Sequence, residues 1–302
     1  MRYYFAPMEG ITDSIYRRLH HKHFGGVDRY YMPFLSPTVH QQLTHKEERE
    51  LPMADAEAFC AVPQILTKVP ADFLWAARTC ADRGYDEVNL NVGCPSGTVV
   101  SKGKGSGMLR YPDALDAFLE TIFADAPLPI SVKTRLGMED SSEFPAILDI
   151  YNRYPIKELT IHPRVRKQFY DGEVCSEMFQ YARENSRNPL CYNGDIRSRA
   201  DADRVGVEAV MIGRALVGDP GMLLECGTDV KVLEVFHNEL LDTYTEAFGG
   251  GRNAMFRLKE NWHMLIGHFE GSEKLWKRLR KTTDLAEFKT ITAEIFHTLQ
   301  FR

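Results

Sequence analysis

The residues best equipped for chemistry sit at the ends of short apolar runs, often as polar pairs two positions apart. Gln64 ends one run and Asn89 with Asn91 the next. Lys133 with Arg135, His162 with Arg164, Asn193 with Asp195, and Gly213-Arg214 follow in order. A spacing of two places both members on one face of a strand. Polar groups on such a face are costly unless they find partners, and six runs in register point to a polar ligand shared by all of them. Cys94, in Asn91-Val-Gly-Cys94-Pro95, joins this set. A lone cysteine is ordinarily a small buried hydrophobe, which is the reading for Cys60, Cys80, Cys175, Cys191 and Cys226. Cys94 differs because glycine and proline flank it at the end of a run.

The elements that must position these residues are eight candidate strands: 3–8, 27–34, 61–66, 86–93, 129–135, 157–163, 189–193 and 207–213. Helical patterns at 72–83, 113–124 and 142–154 lie between them. Eight alternating units predict a (β/α)8 TIM barrel, whose ligands gather at the C-terminal strand ends. An open doubly wound sheet would want a glycine fingerprint after its first strand, and Ala6-Pro7-Met8-Glu9-Gly10 is not one.

Loops seven and eight of such barrels commonly hold a phosphate, and here they carry Asn193-Gly194-Asp195 and Met211-Ile-Gly213-Arg214. Lys133 suits the anionic edge of a reduced flavin, so flavin mononucleotide (FMN) fits the set better than a nicotinamide alone. The glycine-rich stretch 101–107 does not match a P-loop, since Gly97 stands six residues from Gly103 rather than five. It reads as a flexible loop presenting Cys94, with Lys102 and Lys104 over the entrance.

The alternation stops after Pro220, and from Val232 onward the pattern is helical, broken at Gly249-Gly250-Gly251. The expected division is a barrel over 1–231 and a small all-helical domain over 232–302. The chain holds 37 basic and 42 acidic side chains in 302 residues, a net charge of −5. Residues 232–302 carry ten of each sign, leaving the whole −5 on the barrel, yet Arg252–Lys281 alone holds eight basic against three acidic residues. No CxxC pair, metal-ligand spacing, secretory signal or membrane-length apolar window is present, so the expected setting is a reduced cytoplasm without a metal.

Taken in order, Ala6-Pro7-Met8-Glu9-Gly10-Ile-Thr-Asp13, Asn91-Val-Gly-Cys94-Pro95, Lys133-Thr-Arg135-Leu-Gly137, His162-Pro-Arg164 with Gln168-Phe-Tyr170, Asn193-Gly194-Asp195 and Met211-Ile-Gly-Arg214 resemble the tRNA-dihydrouridine synthases along the whole chain. The resemblance implies an FMN enzyme that reduces the C5–C6 double bond of selected uridines in tRNA, with NADPH as reductant. It implies that Pro7, Met8, Glu9, Gln64, Lys133, His162, Asn193, Gly194, Asp195, Gly213 and Arg214 hold the flavin. Cys94 would be the proton donor, and Asn91, Arg135 and Tyr170 would grip the flipped uracil. Pro163 after His162 and Thr67 after the third strand depart from the family pattern.

Elementary chemistry agrees with those roles. A thiol with an ordinary pKa of about 8.5 is protonated at neutral pH and can act as a general acid. Arg135 can stabilise charge on a uracil carbonyl. Two other readings use the same barrel: a small-molecule flavin reductase of the dihydroorotate dehydrogenase kind, and an RNA-binding flavoprotein without turnover. A dihydrouridine synthase acting on ribosomal RNA is a further alternative. The basic stretch within 252–281 favours an RNA substrate over a small molecule.

Overall fold

The computed structural model describes all 302 residues. Its centre is a parallel sheet of β1 (Arg2–Phe5), β2 (Arg29–Tyr31), β3 (Ala61–Val62), β4 (Gln64–Ile65), β5 (Val88–Val92), β6 (Ile130–Arg135), β7 (Leu159–His162), β8 (Leu190–Asn193) and β9 (Ala209–Ile212), in the order β3-β2-β1-β9-β8-β7-β6-β5-β4. β3 pairs with β2 and β4 with β5, and only Pro63 separates the two. Proline breaks a ladder because it has no N–H to donate. The pair is therefore one interrupted stave, and eight staves close into the barrel expected from the sequence.

Alternation along the strands sorts the side chains. Outward-facing Phe5, Tyr30, Leu90, Val132, Ile161 and Val210 join the main core against the surrounding helices. Inward-facing Tyr4, Ala6, Tyr31, Val62, Cys191, Ala209 and Met211 form a second, smaller core inside the barrel. The helices begin where local chemistry favours it: Asp13 caps Ser14–His23 through the Tyr16 N–H, and proline opens both Pro70–Asp82 and Pro112–Asp125.

The N-terminal end of the barrel is closed by paired charges. Glu87 accepts from Arg29 at 2.8 Å and Lys157 at 2.7 Å, while Glu158 meets Arg2 at 3.4 Å and the Tyr4 hydroxyl at 3.1 Å.

From Val230 the chain is helical, with helices at Val230–Ala247, Gly251–Leu265, Glu273–Lys281 and Leu285–Thr298. The first packs on the barrel helix Ser14–His23, and the second on the short helix Arg214–Gly218. Tyr16 and Phe24 meet Phe236 edge-on, and the Tyr244 hydroxyl donates to Asp13 at 2.7 Å. Arg257 reaches the Asp13 carboxylate and the Gly10 carbonyl. The helical region is thereby fixed to the loop after β1.

Candidate active site

The C-terminal mouth gathers most of the residues singled out in the sequence. On β4 and β5 the amides form a chain: Gln64 Nε2 donates to Asn89 Oδ1 at 2.8 Å, Asn89 Nδ2 to Ser131 Oγ at 2.9 Å, and Asn91 Nδ2 to Gln64 Oε1 at 2.7 Å. Asn91 Oδ1 accepts the N–H groups of Gly93 at 3.1 Å and Cys94 at 2.9 Å. Asn91 thus shapes the turn that presents Cys94, a task its sequence position did not disclose.

The segment after Cys94 departs from expectation. Instead of a flexible loop it forms a short helix, Gly97–Val100, and a 3-10 turn, Gly105–Arg110, in which Gly105 to Leu109 are buried. Ser106 donates through Oγ at 2.8 Å and N at 3.1 Å to the Cys94 carbonyl. Gly105 has φ +57°, and a Cβ there would lie 2.9 Å from that same carbonyl oxygen. Close packing against the Cys94 backbone, which only glycine permits, converts the glycine-rich stretch into a rigid platform.

Half-buried Cys94 has its thiol pushed up by burial, against the opposing pull of the Ser96 N–H, Lys133 and Arg135. It is a protonated thiol at neutral pH. Burial, and then the neighbouring Arg135, push Lys133 down to about 8. Its ammonium donates to Asn193 Oδ1 at 2.8 Å, and Asn193 in turn donates to the Met211 carbonyl at 2.8 Å. Arg135 is 1% exposed and is held by the carbonyls of Gly93 at 3.0 Å and Val165 at 3.1 Å.

Tyr170 lies between two guanidinium groups, Arg135 at 5.3 Å and Arg214 at 5.0 Å from its ring centre, with the His162 ring 6.1 Å away. Arg164 is also buried and binds Asp195 with both ends of its fork. Asp195 additionally meets Arg214 at 3.3 Å. Burial pushes the Asp195 carboxyl up, but the two arginines outweigh it and hold it below the usual range.

The ends of β8 and β9 suit a phosphate. The backbone N–H groups of Gly194, Asp195 and Gly213 donate to no protein acceptor, and the half-exposed Arg214 side chain stands beside them. A Cβ on Gly213 would lie 3.3 Å from Met8 Sδ, so the Met8 side chain packs closely over this glycine. Glu9, exposed and paired with Lys46, is near enough to Cys94 for its charge to help push the thiol up. Pro7 and Met8 stay at the mouth, where Met8 N–H donates to Thr12 Oγ1 at 2.9 Å. Pro163 and Thr67, the two departures from the family pattern, fit without disturbance: Pro163 accepts the Cys175 N–H at 2.7 Å, and Thr67 Oγ1 accepts the Val69 N–H at 3.1 Å. Ser106 is a supporting residue that the sequence left hidden, and Arg164 is one whose partner, Asp195 on another loop, it could not show.

The profile of the dihydrouridine synthase family matches residues 4–289. tRNA-dihydrouridine synthase B of Proteus vulgaris is 33% identical over 225 residues, covering 73% of this chain and 69% of that protein. A probable tRNA-dihydrouridine synthase of Rhizobium leguminosarum bv. phaseoli is 30% identical over 268 residues, covering 82% and 80%. Among solved structures, a variant of NCR from Zymomonas mobilis shares the fold, with a TM-score of 0.50 at 15% identity over 78% of this chain and 90% of its own. The order of the site residues and the match along nearly the whole chain place this protein in the dihydrouridine synthase family.

Proposed function

We propose that the chain reduces the C5–C6 double bond of uridine in tRNA, with FMN in the barrel mouth and NADPH as reductant. The observation that carries this reading is the mouth itself, where a protonated Cys94 faces the buried cations Lys133 and Arg135, neither of which has a carboxylate partner. Uncompensated buried cations call for an anionic guest. The free N–H groups of Gly194, Asp195 and Gly213 with Arg214 would hold the FMN phosphate, and Lys133 with Gln64, Asn193 and His162 the ring system. Bound reduced flavin supplies a hydride to C6 of the pyrimidine.

The chain's own residues do the rest. Cys94 Sγ delivers its proton to C5 and regains one from solvent, which the raised thiol favours. The Arg135 N–H groups left over from Gly93 and Val165 steady charge on a uracil carbonyl, at no reorganisation cost because the guanidinium is already anchored. Tyr170, half-exposed between Arg135 and Arg214, offers a face for a base turned out of its stack. Asn91 holds the Cys94 turn, and its second N–H remains for the base.

Residues 232–302 would serve as the RNA-binding domain. Two of the eight basic residues in 252–281 already have structural tasks: Arg257 ties to Asp13 and Gly10, and Lys259 caps the carbonyls of Arg280 and Thr282. Arg278 pairs with Glu294 at 3.2 Å. Arg252, Lys274, Lys277, Arg280 and Lys281 have no acidic partner within the protein and would meet RNA phosphates. The six free thiols fit a reducing cytoplasm, and no helix is long and apolar enough to cross a membrane. The reading is tested by the flavin spectrum of the purified protein together with dihydrouridine formation in tRNA. A preparation that neither carries nor takes up flavin would refute it.

A further inference from the structure

His162 ends β7 with Glu158 and Thr160 on the inward face of its strand, while Leu159 and Ile161 pack outward. Its Nε2 lies 3.0 Å from Arg164 Nη1. A guanidinium has only donors, so a hydrogen bond there requires Nε2 to be the acceptor. Arg164 has little freedom to do otherwise: it is 1% exposed, and its remaining donors go to the Asp195 carboxylate and the Gly172 carbonyl. His162 Nδ1 has no protein partner and is not among the fully enclosed unpaired atoms, which leaves it facing the mouth.

We propose that Arg164 is a positioning residue that fixes His162 as the neutral Nδ1–H tautomer, so that this wall of the mouth always offers a hydrogen-bond donor. A neutral imidazole otherwise interconverts between two tautomers, one of which would turn an acceptor toward the mouth and repel a carbonyl or anionic guest. The charges facing the ring are Arg164 from its own loop, Lys133 and Arg135 from β6, and Arg214 after β9, with Tyr170 across from it. Burial, and then these cations, keep the ring neutral far below the usual histidine range. Asp195 aligns Arg164 on its far side and is itself braced by Arg214.

Only the use of that donor rests on the proposed reaction. The tautomer is a property of the resting protein, and it is measured there without turnover. The full-length protein is labelled with 15N-imidazole histidine, and His162→Asn identifies the His162 signals among the ten histidines. At pH 6 to 8 the expected spectrum shows a protonated Nδ1 and an unprotonated Nε2, unchanged across the range. Arg164→Met is expected to lose the single tautomer, and Arg164→Lys, which restores a cationic donor, to recover it in part. An Nε2–H ring or an imidazolium in the unsubstituted protein would overturn the proposal, even if Arg164→Met fails to fold. So would an unchanged tautomer in a folded Arg164→Met. Dihydrouridine synthesis could fail in either case without bearing on this result.

Discussion

The two ends of the barrel both bury charge, and they handle it in opposite ways. At the N-terminal end the carboxylates of Glu87 and Glu158 answer Arg2, Arg29 and Lys157, so the cluster is matched within the chain. At the C-terminal end Arg164 and Arg214 share one carboxylate, Asp195, and Lys133 and Arg135 pair with none. A matched cluster closes a barrel, whereas an unmatched one costs stability until an anion arrives. The difference separates the end that holds the fold together from the end that binds and reacts.

The comparison breaks most visibly at Cys94. Cys94→Ala should lower dihydrouridine formation by about 10²–10⁴-fold, the usual worth of a general acid, while flavin binding and reduction by NADPH persist. Steady-state rates beside a flavin reduction trace check this. Glu87→Ala should do the reverse, costing about 2–3 kcal/mol of stability with the activity of the folded protein intact. The loss stays below that of a wholly buried pair because Arg29 and Lys157 keep some contact with water. Denaturant unfolding and turnover measured on one preparation would separate the two ends.

Lys133 sharpens the contrast through pH. Its ammonium titrates at about 8 in the fold and near 10.5 when unfolded, so the unfolded chain holds more protons between those values. Stability of the flavin-free protein should therefore rise with pH across that window. Lys133→Met should stabilise the flavin-free protein below pH 8 by up to about 3 kcal/mol, less the loss of the hydrogen bond to Asn193, and yet weaken flavin binding. In the unsubstituted protein flavin affinity should fall as pH rises through about 8. Fluorescence titration of flavin at several pH values tests both.

The smallest effect is expected farthest from the mouth. Reversing Lys274, Lys277 and Lys281 to Glu should weaken tRNA binding and lower its salt dependence by about one unit of slope for each phosphate no longer neutralised. Flavin binding should be untouched. Binding isotherms at several salt concentrations would show it.

Much of this contrast was legible in the sequence because it depends on local pattern. Seven of the eight staves lie inside the predicted runs and β1 begins one residue early at Arg2, and the pairs Lys133/Arg135 and Asn193/Asp195 face the mouth region as a spacing of two requires. What stayed hidden depends on residues brought together from afar. Ser106 on the Cys94 carbonyl, Arg164 on Asp195, and Arg257 on Gly10 are not implied by any periodicity. Glycine-rich composition also read as mobility at 101–107, where tight packing of Gly105 and Gly107 against Cys94 and Val100 makes a platform instead. The pairing of Glu9 with Lys46 likewise joins segments that no local pattern connects.

The central claim is that the unmatched mouth reduces uridine in RNA, with Cys94 as its acid. Its most direct test is a single incubation of the purified protein, FMN, NADPH and tRNA lacking dihydrouridine, followed by mass spectrometry of the nucleosides. The account predicts uridine gaining two hydrogens with the unsubstituted protein and almost none with Cys94→Ala at equal flavin loading. Equal product from both, or none from the flavin-loaded unsubstituted protein, would contradict it.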